Sequence, residues 1–109
     1  MNWIELTQEN QIETIKQESR QHPVIIFKHS TRCATSAMAK NRLEREESPA
    51  NTKFYFLDLI KHRSISNKIS EDFAVHHESP QVLLIKNEEC TYDESHNGIS
   101  MQDIWEQLN

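Results

Sequence analysis

Two cysteines, Cys33 and Cys90, are all that 109 residues contain. That is too few for a disulfide framework, and a cytosolic setting keeps ordinary thiols reduced. The six histidines form no H-x-x-x-H pair and the cysteines no C-x-x-C, so the spacings that zinc geometry favours are missing and no metal is expected. Basic residues are outnumbered, 12 against 17 acidic, for a net charge of −5. Such a chain repels phosphate backbones, and no basic run compensates, so neither nucleic acid nor an anionic membrane surface is an expected partner. No apolar segment approaches the roughly 20 residues of a membrane span, and MNWIELTQEN lacks the basic-then-apolar order of a leader. A cytoplasmic protein is the expectation. Hydrophobic residues, at 36%, fall below the usual share, so the core must come from a few dense segments, enough for one domain over residues 1–109 and no more.

What is present is an alternation of helix and strand signals, without repeats, low-complexity tracts or linkers. Thr7 can cap a first helix that carries Ile12 and Ile15 and stops before His22-Pro23, since a residue ahead of proline avoids helical angles. The run VIIF, Val24 to Phe27, reads as a central strand covered on both faces. Ser30 or Thr31 then caps a second helix, with Ala34, Ala37, Met38 and Leu43 as its apolar face and Ser48-Pro49 as its stop. Lys53 to Leu59 reads as a second strand, long enough from the first for parallel pairing through a right-handed crossover. Ile65, Ile69 and Phe73 mark a third helix starting near Ser64. QVLLIK and ECTYDE form a hairpin about Asn87-Glu88, although that turn has no glycine. Ser100 caps the last helix, with Asp103 as its capping-box partner and Met101, Ile104, Trp105 and Leu108 as a buried stripe. The expected architecture is α/β, order αβαβαββα, with a four-stranded mixed sheet flanked by helices.

Chemistry concentrates in KHSTRCATSAM, Lys28 to Met38, where Cys33 falls at a strand-to-helix junction. A free thiol titrates near 8.5, so its reactive thiolate needs help at neutral pH. Unpaired N–H groups at a helix start favour the anion, neighbouring Arg32 adds positive charge with Lys28 and His29 close in sequence, and Ser36 one turn on can donate a hydroxyl to the sulfur. The competing reading makes Cys33 a small buried hydrophobe, but Thr31, Arg32, Thr35 and Ser36 would line a poor apolar pocket. Cys90 alternates with Tyr92 in a strand, lacks an adjacent cation and reads as structural rather than resolving. His76-His77 read as surface or rim, and Met38 and Trp105 as core. A lone nucleophilic thiol suits one reaction: it attacks a mixed disulfide between a protein and a small thiol, keeps the small thiol and frees the protein. Because a hydroxyl at Ser36 cannot close a disulfide, a second small thiol must release the adduct.

A cysteine at the helix start after the first strand, with Ser79-Pro80 directly before the third, resembles the thioredoxin fold. The segments FKHSTRCATS, VHHESPQVLLIK and SHNGIS resemble those of the bacillithiol-system redox-active proteins, the YtxJ-like monothiol bacilliredoxins, and the resemblance covers nearly the whole chain. It implies a thiol-disulfide oxidoreductase with no bound cofactor and bacillithiol as thiol co-substrate, serving S-thiolated cytosolic proteins. It also implies a cis bond at Pro80 beside Cys33, where Ser79 can present its backbone to an extended substrate. Cys33 and Ser36 are then the catalytic pair, and Lys28, Thr31, Arg32, Ser79 and Pro80 the substrate-binding candidates. The alternative is a glutaredoxin-like module in which Cys33 ligates an iron–sulfur cluster across a dimer. The sequence leaves the oligomeric state open.

Overall fold

In the computed structural model, which describes residues 1–108, the dense apolar run VIIF becomes the middle of a sheet. The elements follow in the order β1 (Trp3–Glu5), α1 (Gln11–Glu18), β2 (Val24–His29), α2 (Ala34–Arg45), β3 (Lys53–Asp58), α3 (Arg63–Asp72), β4 (Gln81–Lys86), β5 (Glu89–Ser95), a 3₁₀ turn (His96–Gly98) and α4 (Met101–Leu108). The five strands lie in the order β1-β3-β2-β4-β5. β1, β3 and β2 run parallel, while β4 and β5 are antiparallel to their neighbours.

All six residues of β2 are buried, and their alternation divides the core in two. Val24 and Ile26 pack with Ile12, Ile15, Ile65, Ile69 and Phe73 beneath α1 and α3. Ile25 and Phe27 pack with Ala39, Leu43, Met101 and Ile104 beneath α2 and α4. The chain thus runs α/β with helices on both faces, and the third-helix stripe and the Ser100 cap stand as expected, the latter through Asp103 N–H donating to Ser100 Oγ at 3.1 Å.

Several sequence expectations need correction. The sheet has five strands rather than four, because Trp3–Glu5 adds itself parallel to β3. Three residues are too short for a period-2 signal, and their pairing partner lies some fifty positions away. Thr7 does not cap α1. Gln11 instead folds its own side chain back, Oε1 accepting from the Thr7 and Gln8 N–H groups at 2.7 and 2.9 Å. The buried face of α2 is Ser36, Ala39 and Leu43, leaving Ala34 and Ala37 exposed and Met38 58% exposed. Trp105 is 40% exposed, its indole N–H donating to Glu47 O at 3.1 Å. Neither Met38 nor Trp105 is core.

The glycine-free hairpin forms because Asn87 and Glu88 both take positive φ, 51° and 68°, as a two-residue primed turn requires. Ser19 holds it from α1, its carbonyl accepting from Asn87 N–H and its hydroxyl from Glu88 N–H, each at 2.8 Å. In β5 a register shift separates the Ile85–Cys90 pair from the Leu84–Tyr92 pair. Cys90 and Tyr92 therefore face opposite sides of the sheet, Cys90 against the α1–α3 cluster and Tyr92 against the other.

Leu6, 1% exposed and tied to β3 by its N–H to Phe56 O at 2.8 Å, anchors the strand that the sequence pattern did not reveal. Leu6→Ala is expected to destabilise by about 2–5 kcal/mol, as large-to-small core changes do. Thr7→Ala should stay within about 0.5 kcal/mol, whereas loss of a true helix cap costs about 1 kcal/mol. Urea unfolding of both variants checks the pair.

Candidate active site

β2 ends at His29, and a turn closed by Cys33 N–H donating to Ser30 O at 3.2 Å carries the chain into α2. Cys33 is the N-cap residue, with extended angles (φ −115°, ψ 118°), and its carbonyl accepts from Ser36 and Ala37 N–H. No Ser30 or Thr31 side chain caps the helix; the cysteine itself occupies that place, half-buried. Cys33 therefore stands at the first turn of α2, whose leading N–H groups have no side-chain cap.

Ser36 is fully buried. Its Oγ accepts from Ser30 N–H at 3.0 Å and lies 2.7 Å from His29 Nδ1. Burial, then the charge of Lys40, holds His29 below the usual histidine range, and Nδ1 of its ring shares a hydrogen bond with the Ser36 hydroxyl. The Ser36 hydroxyl is engaged there, fastening the end of β2 to the start of α2, and is not directed to the thiol as the sequence suggested.

The thiol opens into a groove of about 450 Å³ lined by Ser30, Arg32, Cys33, Leu59, Ile60, Arg63, His77 and Ser79. Two arginines, neither in an ion pair among the described residues, give it positive charge. Of the candidates named from sequence, Cys33, Arg32 and Ser79 share this groove, and Pro80 is buried next to Ser79. The Ser79–Pro80 bond is cis, and Ser79 Oγ is buried without a hydrogen-bond partner. Thr31 is exposed in the turn and does not line the groove. Lys28 departs most from expectation. It is fully buried on the α3 side of β2, its Nζ donating to Ser66 O at 3.2 Å and Ser70 Oγ at 3.0 Å. It cannot meet a substrate at the surface.

Other groove residues escaped sequence reasoning. Leu59 and Ile60 come from the β3–α3 connection and Arg63 from the first position of α3, and nothing local in LIKHR marks them. His77, read as rim, turns inward from the loop before β4. A larger cleft of about 580 Å³ between α2 and α4, lined by Arg42, Arg45 and Trp105 among others, holds no thiol.

A thiol at a helix start facing a proline-flanked groove is matched across the chain. Residues 4–104 match the monothiol bacilliredoxin BrxC family, a span that includes Cys33, Ser79 and Pro80. The chain belongs to this family. Among solved structures, this bacilliredoxin superposes on a thioredoxin-fold protein described as a candidate oxidoreductase, with TM-score 0.83 and 27% identity, over 98% of this chain and 94% of that one. It also superposes on the thioredoxin Mala s 13 of Malassezia sympodialis (TM-score 0.75, 14% identity, 99% and 88% covered) and on reduced Schistosoma mansoni thioredoxin (0.70, 19%, 100% and 100%). These two carry the fold alone. Family and fold together make this bacilliredoxin a thiol oxidoreductase of the thioredoxin type. No helix among the described residues is long and apolar enough to cross a membrane.

Its second thiol is remote. Cys90 pairs with Ile85, which faces Val24 at the far end of β2. At about 3.3 Å per strand residue the two cysteines are separated by roughly 16 Å or more, against the roughly 7 Å limit for a disulfide. Burial pushes the Cys90 thiol up to about 11, and its Sγ donates to Tyr92 O at 3.3 Å, a bond that holds the proton on sulfur. Iodoacetamide at pH 7 is therefore expected to alkylate Cys33 and leave Cys90 unmodified, with Cys90 labelling rising only as pH approaches 11. Peptide mapping reads both sites, and equal labelling at pH 7 would contradict the assignment.

Proposed function

We propose that this protein removes bacillithiol from mixed disulfides with cytosolic proteins. The observation that carries the reading is a solitary thiol: Cys33 opens into a cationic groove, its i+3 neighbour is a serine, and Cys90 is out of reach. The Cys33 thiolate attacks the small-thiol sulfur of a protein–S–S–R disulfide. A Cys33–S–S–R bond forms, and the electron pair of the broken bond leaves on the protein sulfur. A second small thiolate then attacks the sulfur of R, releasing R–S–S–R and regenerating the Cys33 thiolate. No metal or prosthetic group enters this cycle. Bacillithiol is anionic, which suits the guanidinium of Arg32 and, from α3, that of Arg63. Ser79, beside Pro80 in the same groove, is the element against which an extended client backbone would lie.

Ser36 is where a resolving thiol would stand, one helical turn from Cys33 on the same side. Wild type treated with oxidised bacillithiol should accumulate a one-to-one adduct on Cys33. Ser36→Cys should close an internal disulfide instead, because a tethered thiol competes at an effective concentration commonly of millimolar or more. Intact-mass measurement separates the two. A wild-type protein that takes up no small thiol, or that closes a Cys33–Cys90 bond, would overturn the monothiol mechanism.

A further inference from the structure

The exchange cycle leaves one buried ionisable group without a role. Lys28 is fully buried, yet its hydrogen-bond partners are all neutral: the Ser66 carbonyl, the Ser70 hydroxyl and His77 Nδ1 at 3.4 Å. A buried ammonium ordinarily has a carboxylate, since an unpaired charge in low dielectric is costly. Here the nearby charge that bears on it is the like-signed Arg63 of α3, and burial with that repulsion holds Lys28 at about 8. The amine therefore exchanges its proton close to neutral pH. It does not touch the groove. His77 does, and its Nδ1 is turned inward to Lys28 Nζ and to Ser66 Oγ, each at 3.4 Å. Burial, then the charges of Lys28 and Arg63, holds His77 below the usual histidine range, against Glu78, which favours its protonation, and with His76, which opposes it. A neutral ring whose Nδ1 accepts from within carries its own proton on Nε2.

We infer that Lys28, acting through His77, supplies a proton to the departing client thiolate and regains it from the incoming small thiol. The inference rests on the exchange reaction proposed above. In the first half, the client sulfur leaves with the electron pair of the broken disulfide. His77 Nε2–H passes its proton to that sulfur while Lys28 passes one to Nδ1, leaving a client thiol, the Nδ1–H tautomer and a neutral amine. In the second half, the arriving R–SH gives its proton to Nε2 as Nδ1–H returns its own to Lys28. The resulting R–S⁻ attacks the adduct, expelling the Cys33 thiolate. Over one cycle the proton of R–SH ends on the client thiol, and the pair returns to its starting state. An ordinary alkyl thiol and a lysine held near 8 are closely matched in proton affinity, the condition under which such transfer is efficient.

The inference predicts a dependence on the leaving group. Two bacillithiol disulfides are reacted at pH 7 with full-length wild type, Lys28→Met and His77→Phe by rapid mixing: one with a cysteine peptide, whose thiolate leaves best when protonated, and one with 5-thio-2-nitrobenzoate, whose aryl thiolate needs no proton. Both variants should raise the aryl-to-alkyl rate ratio at least tenfold over wild type. Slowing of both disulfides by the same factor marks a merely structural role and overturns the inference, as does an unchanged ratio. If Lys28→Met does not fold, the His77→Phe ratio decides alone. A wild type that reacts with the aryl disulfide but never with the alkyl one sinks the exchange reading itself, and the proton route with it.

Discussion

The hydroxyl of Ser36 holds the end of the central strand to the beginning of the helix that follows it. It is buried, bonds to His29 Nδ1 and accepts from Ser30 N–H, so it satisfies a polar group on each of two neighbouring residues. Leaving either unpaired costs about 1–3 kcal/mol. The position of Cys33 follows from that tie. With β2 fixed by six buried residues and α2 seated by Ala39 and Leu43, the three residues between His29 and Cys33 have little freedom, and Cys33 is set at the N-cap of the helix. A serine at this position thus has two consequences at once: it is a structural clamp, and it withholds the second thiol that would turn Cys33 to internal disulfide chemistry.

The same strand distributes the site's charges. Because successive side chains alternate across a sheet, His29 and Lys28 go to opposite faces although they are neighbours in sequence. His29 joins Phe27 and Phe56 on the α2 side, and Lys28 passes under α3. Sequence proximity to Cys33 had grouped Lys28 with Arg32 as substrate-binding candidates, and strand periodicity separates them. The cation that takes its place in the groove is Arg63, delivered by a different crossover.

Much of the architecture was legible because strong local signals carry it. VIIF could only be a strand buried on both faces, Ile65, Ile69 and Phe73 could only be one helix stripe, and Ser100 with Asp103 fixes a helix start. Where the chain was misread, the deciding contact was long-range or a matter of phase. β1 exists through pairing with β3 and an aromatic cluster in which Trp3 stacks on Phe27 at 5.6 Å. The α2 face was misjudged because a buried serine, Ser36, marks it in place of the larger apolar Met38. The nucleophile was legible from Cys33 and its flanks. Its surroundings were not, since His77 and Arg63 lie 44 and 30 positions on and reach the thiol only after β3 and β4 have paired with β2.

The central claim is that Cys33 takes the small thiol and releases the client free, rather than taking the client. A client protein carrying isotopically labelled bacillithiol, mixed with an equal amount of this protein without free thiol, distinguishes the two by intact mass. The account predicts that label leaves the client and appears on Cys33 in equal amounts as the client thiol emerges. A covalent disulfide between Cys33 and the client, with labelled bacillithiol set free in solution, would contradict it.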